Sequence, residues 1–262
     1  MTSEEPLYRR VDGRVVPSGH TTGPWDPGSQ HAGAPAALLA GAVEAAVPEG
    51  MDVVRLAYEV NRPVPVAPAD LRVEVTRPGR RVCGARAELL VAGDVLIALS
   101  AVAVRRGDTA DAAADGGPPT FPGPLEAPRA RWGFGATEGD AFHLTGVDVR
   151  AVQGRPDAPG PATAWFRLTR PVLDGDGPSP VQRVAAAADF ANGLSWVVDP
   201  ADWLFVNVDL TIHLARPPVG EWVAIDASTT LGPAGAGWAE AAIWDERGRV
   251  GRCAQALYVA RR

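Results

Sequence analysis

Residues 183–198 read RVAAAADFANGLSWVV, and this stretch decides the fold. It is a run of small, apolar, helix-forming side chains that is interrupted by one acid, Asp189. Residues 35–46 (PAALLAGAVEAA) have the same character, and Pro35 suits the first turn of a helix. A surface helix carries a charged face, and neither stretch shows one. Small side chains let a sheet come close, so we predict two helices that are each wrapped by a sheet.

Segments with strand character follow both helices and are separated by turns that contain Gly or Asp. They span 53–63, 69–77, 82–92 and 95–106 in the first half, and 205–217, 222–230, 237–244 and 252–262 in the second. A strand also precedes each helix, at 7–17 and at 143–152, and the latter is followed by one at 162–173. The order repeats after about 155 residues, which is too long for a solenoid period and indicates a duplicated α+β module.

This layout, a helix of small residues wrapped by an antiparallel sheet, is that of the hot-dog fold. We therefore predict an α+β protein with a tandem (double) hot-dog fold. The predicted N-terminal repeat spans 1–106. Residues 107–129 are polar, rich in Pro and Gly and without periodicity, which predicts a linker. The C-terminal repeat spans 130–262 and carries the candidate catalytic residues.

Short motifs in both halves resemble the acyl-CoA thioesterase II family. They are Ala187-Ala188-Asp189-Phe190, Val208-Asp209, Ala215-Arg216-Pro217 and Ala254-Gln255-Ala256 in the second half, and Trp25-Asp26 and the run QHAGAP at 30–35 in the first. The resemblance spans nearly the whole chain. It implies hydrolysis of an acyl thioester by a water that an Asp, a Thr or Ser, and a Gln position and activate. Asp189 and Gln255 match the Asp and the Gln, whereas Asn207 stands at the Thr position.

The residue types support these three candidates. A carboxylate on a buried helix is costly unless it is paired or has a chemical role, so Asp189 is the candidate general base. Alternation places Gln255 on one face with Cys253, Leu257 and Val259, where its amide needs partners and can hold the water. Alternation groups Asn207 with Asp209, Thr211 and His213 on a polar face. Its amide can also bind a water, although with a different geometry from a hydroxyl.

His31 precedes the first helix, and it is the fourth candidate. The N–H groups of Gly33 and Ala34 are expected to stabilise the oxyanion, helped by the helix dipole. His20, His143 and His213 lack partners at metal-ligand spacing, so no metal site is predicted. No G-x-S-x-G motif is present, so an α/β-hydrolase thioesterase is not expected. Neither a P-loop nor a Rossmann fingerprint occurs, and we predict no cofactor.

Charge and composition limit the kinds of partner that we expect for this protein. The net charge is −6 and no basic stripe occurs, so a nucleic-acid partner is not expected. No apolar run is long enough for a membrane span, no signal peptide is recognisable, and two cysteines do not form a disulfide framework. We therefore expect a cytoplasmic protein that acts on an acyl-CoA or acyl-carrier thioester and forms a homo-oligomer.

Two alternatives stay open. One is a hot-dog hydratase or dehydratase acting on enoyl thioesters, in which His31 would serve with Asp189 as an acid–base pair. The Asp-x-Asn-x-x-His type of signature of those enzymes does not occur in this sequence. The other is a non-catalytic protein that binds acyl thioesters, which the Asn at position 207 keeps open.

Overall fold

In the computed structural model, which describes residues 5–113, 117–130, 132, 135, 138–175 and 177–262, one antiparallel sheet of eleven strands joins both halves of the chain. The first half contributes helix α1 (Gly33–Ala46) and strands β3 (Met51–Val60), β4 (Asp70–Arg77), β5 (Val82–Val91) and β6 (Asp94–Arg105). A separate hairpin, β1 (Tyr8–Val11) and β2 (Arg14–Pro17), precedes them.

The second half repeats this arrangement. Its elements are β7 (Val147–Gln153), β8 (Ala162–Leu168), helices α2 (Pro180–Ala188) and α3 (Ala191–Leu194), β9 (Trp203–Asn207), β10 (Asp209–Leu214), β11 (Val223–Leu231), β12 (Ala236–Asp245) and β13 (Gly248–Arg261). The strand order is β4-β5-β6-β3-β10-β13-β12-β11-β8-β7, with β9 also paired to β13. The halves join where β3 pairs with β10, with Leu210 opposite Tyr58.

The two long helices lie inside the sheet and pack against each other. Most of α1 is buried, and α2 is buried at Val181 and from Val184 to Ala188. Gly33 permits the close approach, since a Cβ at this position would lie 2.9 Å from the carbonyl oxygen of Ala186. The prediction of two wrapped helices in a tandem hot-dog fold is confirmed.

The ends of some elements differ from the prediction for local reasons. The predicted strand at 7–17 is a hairpin, because Asp12 and Gly13 adopt positive φ angles of 49° and 80° and form its turn. The strand predicted from 143 begins at Val147, after one π-helical turn. Helix α2 begins three residues before 183, because Ser179 and Gln182 form a capping box.

The segment predicted as a linker lies against the sheet. The ring of Phe121 packs edge-on against both Trp165 and Trp244, and the indole N–H of Trp165 donates to the carbonyl oxygen of Pro122. None of the helices in the described part of the chain has the length and apolar character that a membrane crossing needs.

A buried ion pair fixes the connection between β10 and β11. Asp245 is fully buried and accepts hydrogen bonds from the Arg216 guanidinium and from the N–H groups of Val219, Arg247 and Gly248. Burial alone would raise the pKa of Asp245. The hydrogen bonds from Arg216 and the backbone outweigh that effect, so the pKa is lowered. Arg216, a motif residue, therefore has a structural role.

Candidate active site

Asp189 lies at the C-terminal end of α2, where the predicted single helix at 183–198 is broken into α2 and α3. Its side chain is 4% exposed. One carboxylate oxygen, Oδ1, accepts a hydrogen bond of 2.9 Å from the amide of Asn207. The other, Oδ2, lies 3.0 Å from Nδ1 of His31. Three of the predicted site residues are therefore in direct contact, and they come from both halves of the chain.

A β-bulge turns Asn207 toward the interior. Three residues, 208–210, separate Asn207 from Thr211, whereas only 255 and 256 separate their partners Leu257 and Ala254 on β13. The carboxylate of Asp209 accepts a 2.5 Å hydrogen bond from the N–H of Ala256 at this point. The extra residue reverses the alternation. The prediction that Asn207 shares a face with Asp209 and Thr211 is therefore wrong.

His31 contacts Asp189 through a nitrogen that has two competing partners. Nδ1 lies 3.0 Å from Asp189 Oδ2 and 3.1 Å from the backbone nitrogen of Gly33. A ring nitrogen either donates or accepts, so it serves only one of them. A hydrogen bond to an ionised carboxylate is stronger than one from a neutral amide, so we place the proton on Nδ1, pointing at Asp189. The ring packs on Phe190, with centroids 4.3 Å apart.

The structure corrects the expectation for Gly33 and Ala34. The N–H of Gly33 points at Nδ1 of His31, and the N–H of Ala34 donates to the carbonyl oxygen of His31. Both residues are buried. These two N–H groups are directed back at His31 rather than toward a cavity, so their geometry does not match the predicted oxyanion donors.

Gln255 lies next to the site, and its amide bonds to two backbone groups. It lies on the inner face with Cys253 and Leu257, as predicted, and it is 1% exposed. Its Oε1 accepts from the N–H of Asn192, and its Nε2 donates to the carbonyl oxygen of Asp189. The amide therefore holds the backbone of the turn between α2 and α3. Gln255 does not line either of the two cavities at Asp189.

Cys253 lies beside this turn, and its Sγ is 3.9 Å from the carbonyl oxygen of Ala188. Burial, and then the negative charge of Asp189, raise the pKa of Cys253 to about 12. The thiol is therefore protonated at neutral pH. A thiolate is the nucleophilic form of cysteine, so Cys253 is not a nucleophile under these conditions.

Two cavities meet at Asp189 and His31. The larger has a volume of about 440 Å³ and the smaller of about 30 Å³. Both are lined by Pro24, Trp25, His31, Asp189 and Asn192. Asn207 lines the larger one, whereas Trp132, His143 and Phe190 line the smaller one.

Sequence reasoning missed the roles of Asn192, Trp25 and Trp132 in lining this cleft. Asn192 follows Asp189 by three residues in a stretch that is otherwise small and apolar. Residues three apart lie on the same side of a helix, so this spacing was a usable signal. The two tryptophans lie in loops, and no pattern in the sequence indicated their positions.

Comparison with known proteins identifies one family. Residues 21–106 match the family model of the acyl-CoA thioesterase N-terminal domain, and residues 111–259 match that of the acyl-CoA thioesterase C-terminal domain. No curated protein matches the chain in sequence.

Solved structures share the fold over most of the chain. One is a proposed thioesterase from Novosphingobium aromaticivorans, with a TM-score of 0.70 at 22% identity, covering 97% of this chain and 98% of that one. A protein with a hot-dog fold from Alicyclobacillus acidocaldarius gives 0.72 at 19% identity, covering 96% and 95%. An acyl-CoA thioesterase II from Mycobacterium marinum gives 0.62 at 19% identity, covering 84% and 85%.

Proposed function

Because the chain belongs to the acyl-CoA thioesterase family, we propose that it hydrolyses an acyl-CoA thioester by direct attack of water, with Asp189 as the general base. The observation that carries this proposal is the convergence of Asp189, His31 and Asn207 at the junction of two cavities. A thioester has two arms that diverge from its carbonyl carbon, so a junction of two cavities suits such a substrate.

The proposed reaction has two steps. A water at the junction gives a proton to Asp189 while its oxygen attacks the carbonyl carbon, so that a C–O bond forms and the carbonyl oxygen becomes an oxyanion. The tetrahedral intermediate then collapses, the C–S bond breaks, and the proton held by Asp189 passes to the leaving thiolate. The products are a carboxylic acid and a thiol. General-base action of this kind contributes about 10²–10⁴-fold to a rate.

His31 and Asn207 orient the base. Each donates one hydrogen bond to a different oxygen of Asp189, which fixes the plane of the carboxylate. A carboxylate oxygen has two lone pairs, so each oxygen keeps one for a water. The amide oxygen of Asn207 is a further acceptor for that water. In this proposal Gln255 is a positioning residue, because it acts through the backbone of Asp189 and Asn192 rather than on the water.

A thiol-release assay on a series of acyl-CoA thioesters tests the proposal. Release of CoA at a rate proportional to the protein concentration is the expected result. Both cysteines, Cys83 and Cys253, are free and buried, so they should add little background with a thiol reagent. Binding of acyl-CoA with no release above the buffer rate, across the series, would instead identify a non-catalytic binding protein.

The contact between His31 and Asp189 also favours a second candidate, hydration of an enoyl thioester. Such a reaction needs an acid and a base at one site, and these two side chains lie 3.0 Å apart. The same protein preparation should be given a 2-enoyl-CoA, and the loss of the conjugated double bond should be followed by absorbance. Loss of that absorbance without thiol release would replace hydrolysis by hydration.

A further inference from the structure

The two cavities at Asp189 differ in size, and this difference bears on the acyl group. The larger cavity, of about 440 Å³, is lined partly by exposed side chains, among them Arg62 and Val208. The smaller, of about 30 Å³, is bounded by the buried side chains of His143, Phe190 and Asn192. One cavity is therefore a large cleft, and the other is a small recess.

The chemistry of a thioester decides which arm enters which cavity. The thiol arm of an acyl-CoA continues into a nucleotide, which is far too large for either cavity and stays in solvent. This arm needs the larger cleft. The acyl arm ends in carbon and can be enclosed, so the recess remains for it. The aromatic rings of Trp132 and Phe190, stacked with centroids 5.5 Å apart, give the recess an apolar wall.

The volume of the recess sets a limit on the acyl chain. In this measure a cavity of about 10–15 Å³ holds one water, so the recess of about 30 Å³ holds about two waters. A methyl or an ethyl group has a similar size, whereas a longer chain would have to push the walls apart. Protein interiors are close-packed, so such a displacement is costly.

We propose that the recess bounded by Trp132, His143 and Phe190 is the acyl pocket and that it restricts the enzyme to short acyl chains, with one or two carbons beyond the carbonyl. This inference rests on the proposed thioester hydrolysis. Trp132 is the residue that determines the limit, because it is a partly exposed wall of the recess that packs against Phe190 and, edge-on, against His143.

The test compares chain-length profiles. The wild-type protein and Trp132→Ala should be assayed by thiol release on acetyl-, propanoyl-, butanoyl-, hexanoyl- and decanoyl-CoA. For the wild type, kcat/KM should be highest for the two shortest substrates and should fall by about tenfold or more for a methylene that the pocket does not accommodate. Removing the indole ring opens space of the order of 100 Å³, so Trp132→Ala should raise the hexanoyl-to-acetyl ratio of kcat/KM by at least about tenfold.

Trp238→Ala is the matched control. Trp238 is half exposed on β12 and lines neither cavity, so the same chemical change there should leave the profile unaltered. Trp132→Leu keeps part of the wall and gives a smaller shift in the same direction, and it serves if the alanine variant does not fold.

The outcomes distinguish a failure of the short-chain assignment from a failure of the proposed hydrolysis. Thiol release that is fastest on decanoyl-CoA in the wild type would overturn the short-chain assignment and leave hydrolysis intact. A profile for the folded Trp132 variants that runs parallel to the wild type would also overturn it. Absence of thiol release from every substrate would overturn the proposed function, and the inference with it.

Discussion

Replacing Asp189 by asparagine tests the proposed general base with almost no change in side-chain shape. In the structure both carboxylate oxygens accept a hydrogen bond, one from Asn207 at 2.9 Å and one from His31 at 3.0 Å. An amide has one acceptor oxygen and one NH₂ group. The substituted side chain can accept from Asn207 and donate to Nδ1 of His31 in its other tautomer. It cannot take a proton from water at neutral pH.

The expected loss of activity follows from the role of the base. Because the proton transfer occurs in the transition state, kcat should fall by about 10²–10⁴-fold while KM changes little. The cost in stability should be smaller. Two hydrogen bonds to a charge, about 1.5–3 kcal/mol each, are replaced by neutral ones of about 0.5–1.5 kcal/mol, and the loss is offset because a carboxylate is no longer buried. We expect the free energy of unfolding to change by less than about 2 kcal/mol.

The assay is steady-state thiol release on the best acyl-CoA, with unfolding in urea measured on the same samples. Asp226→Asn is the matched control, because Asp226 is an exposed carboxylate on β11 that accepts a hydrogen bond from Thr163, away from both cavities. Its kcat should equal that of the wild type. A folded Asp189→Asn variant that retains kcat within about threefold would remove Asp189 from the mechanism.

Two further predictions concern a residue at the connection between β10 and β11 and a residue beside the turn between α2 and α3. Asp245→Asn removes the buried partner of Arg216 and should lower the free energy of unfolding by about 3 kcal/mol at pH 7, near the lower end for a broken buried pair because Arg216 is partly exposed. The folded pKa of Asp245 is lowered, so its contribution is present above the unfolded value of about 3.9 and is lost as pH falls through the folded pKa. Urea unfolding of the variant and the wild type should therefore converge in strongly acidic buffer; a constant difference at all pH values would contradict this. Gln255→Met leaves the N–H of Asn192 and the carbonyl oxygen of Asp189 without their partner, so it should cost about 2–4 kcal/mol and lower kcat by more than about tenfold while KM changes less than about threefold. A variant that loses stability but keeps kcat would limit Gln255 to a purely structural role.

The architecture was predictable because its signals are repeated. Two stretches of small apolar residues, each followed by segments with strand character, predict two wrapped helices even without the bounds of any element. The sheet and the buried helices α1 and α2 match that expectation. Element ends were misplaced where a single turn such as Asp12-Gly13 or a capping box at Ser179 changed the local path. The helix predicted at 183–198 and the strand predicted at 205–217 are each broken into two elements.

The orientation of Asn207 was not predictable from alternation. Period-2 reasoning assumes an uninterrupted strand, and the bulge at Val208 adds one residue between Asn207 and Thr211. Nothing in the run FVNVDLTIH marks it as a strand break, since neither Gly nor Pro occurs there. The break depends on the hydrogen bond between the carboxylate of Asp209 and the N–H of Ala256, which forms only after the strands have paired.

The hydrogen-bond partners of Gln255 and His31 could not be predicted from the sequence for a different reason. Chemistry alone indicated that a buried Gln must have hydrogen-bond partners, but a backbone and a water satisfy it equally well. The break between α2 and α3 supplies an N–H and a carbonyl oxygen that face the Gln255 amide. A single continuous helix at 183–198 does not predict either of them. His31 contacts Asp189 because α1 packs against α2. This packing is a tertiary contact, which the sequence pattern does not specify.

The duplicated fold also explains how a chain with two similar halves carries one asymmetric site. A buried carboxylate is destabilising unless donors surround it. The second half carries that carboxylate, Asp189, together with Asn207, whereas the sole acid of α1 is Glu44, near the end of the helix and only partly buried. The first half supplies His31 instead. Since β3 pairs directly with β10 and α1 packs on α2, the donor and the acid are held at a fixed separation by the interface between the halves. In this fused chain the second half carries the buried carboxylate, and the first half donates a hydrogen bond that stabilises it.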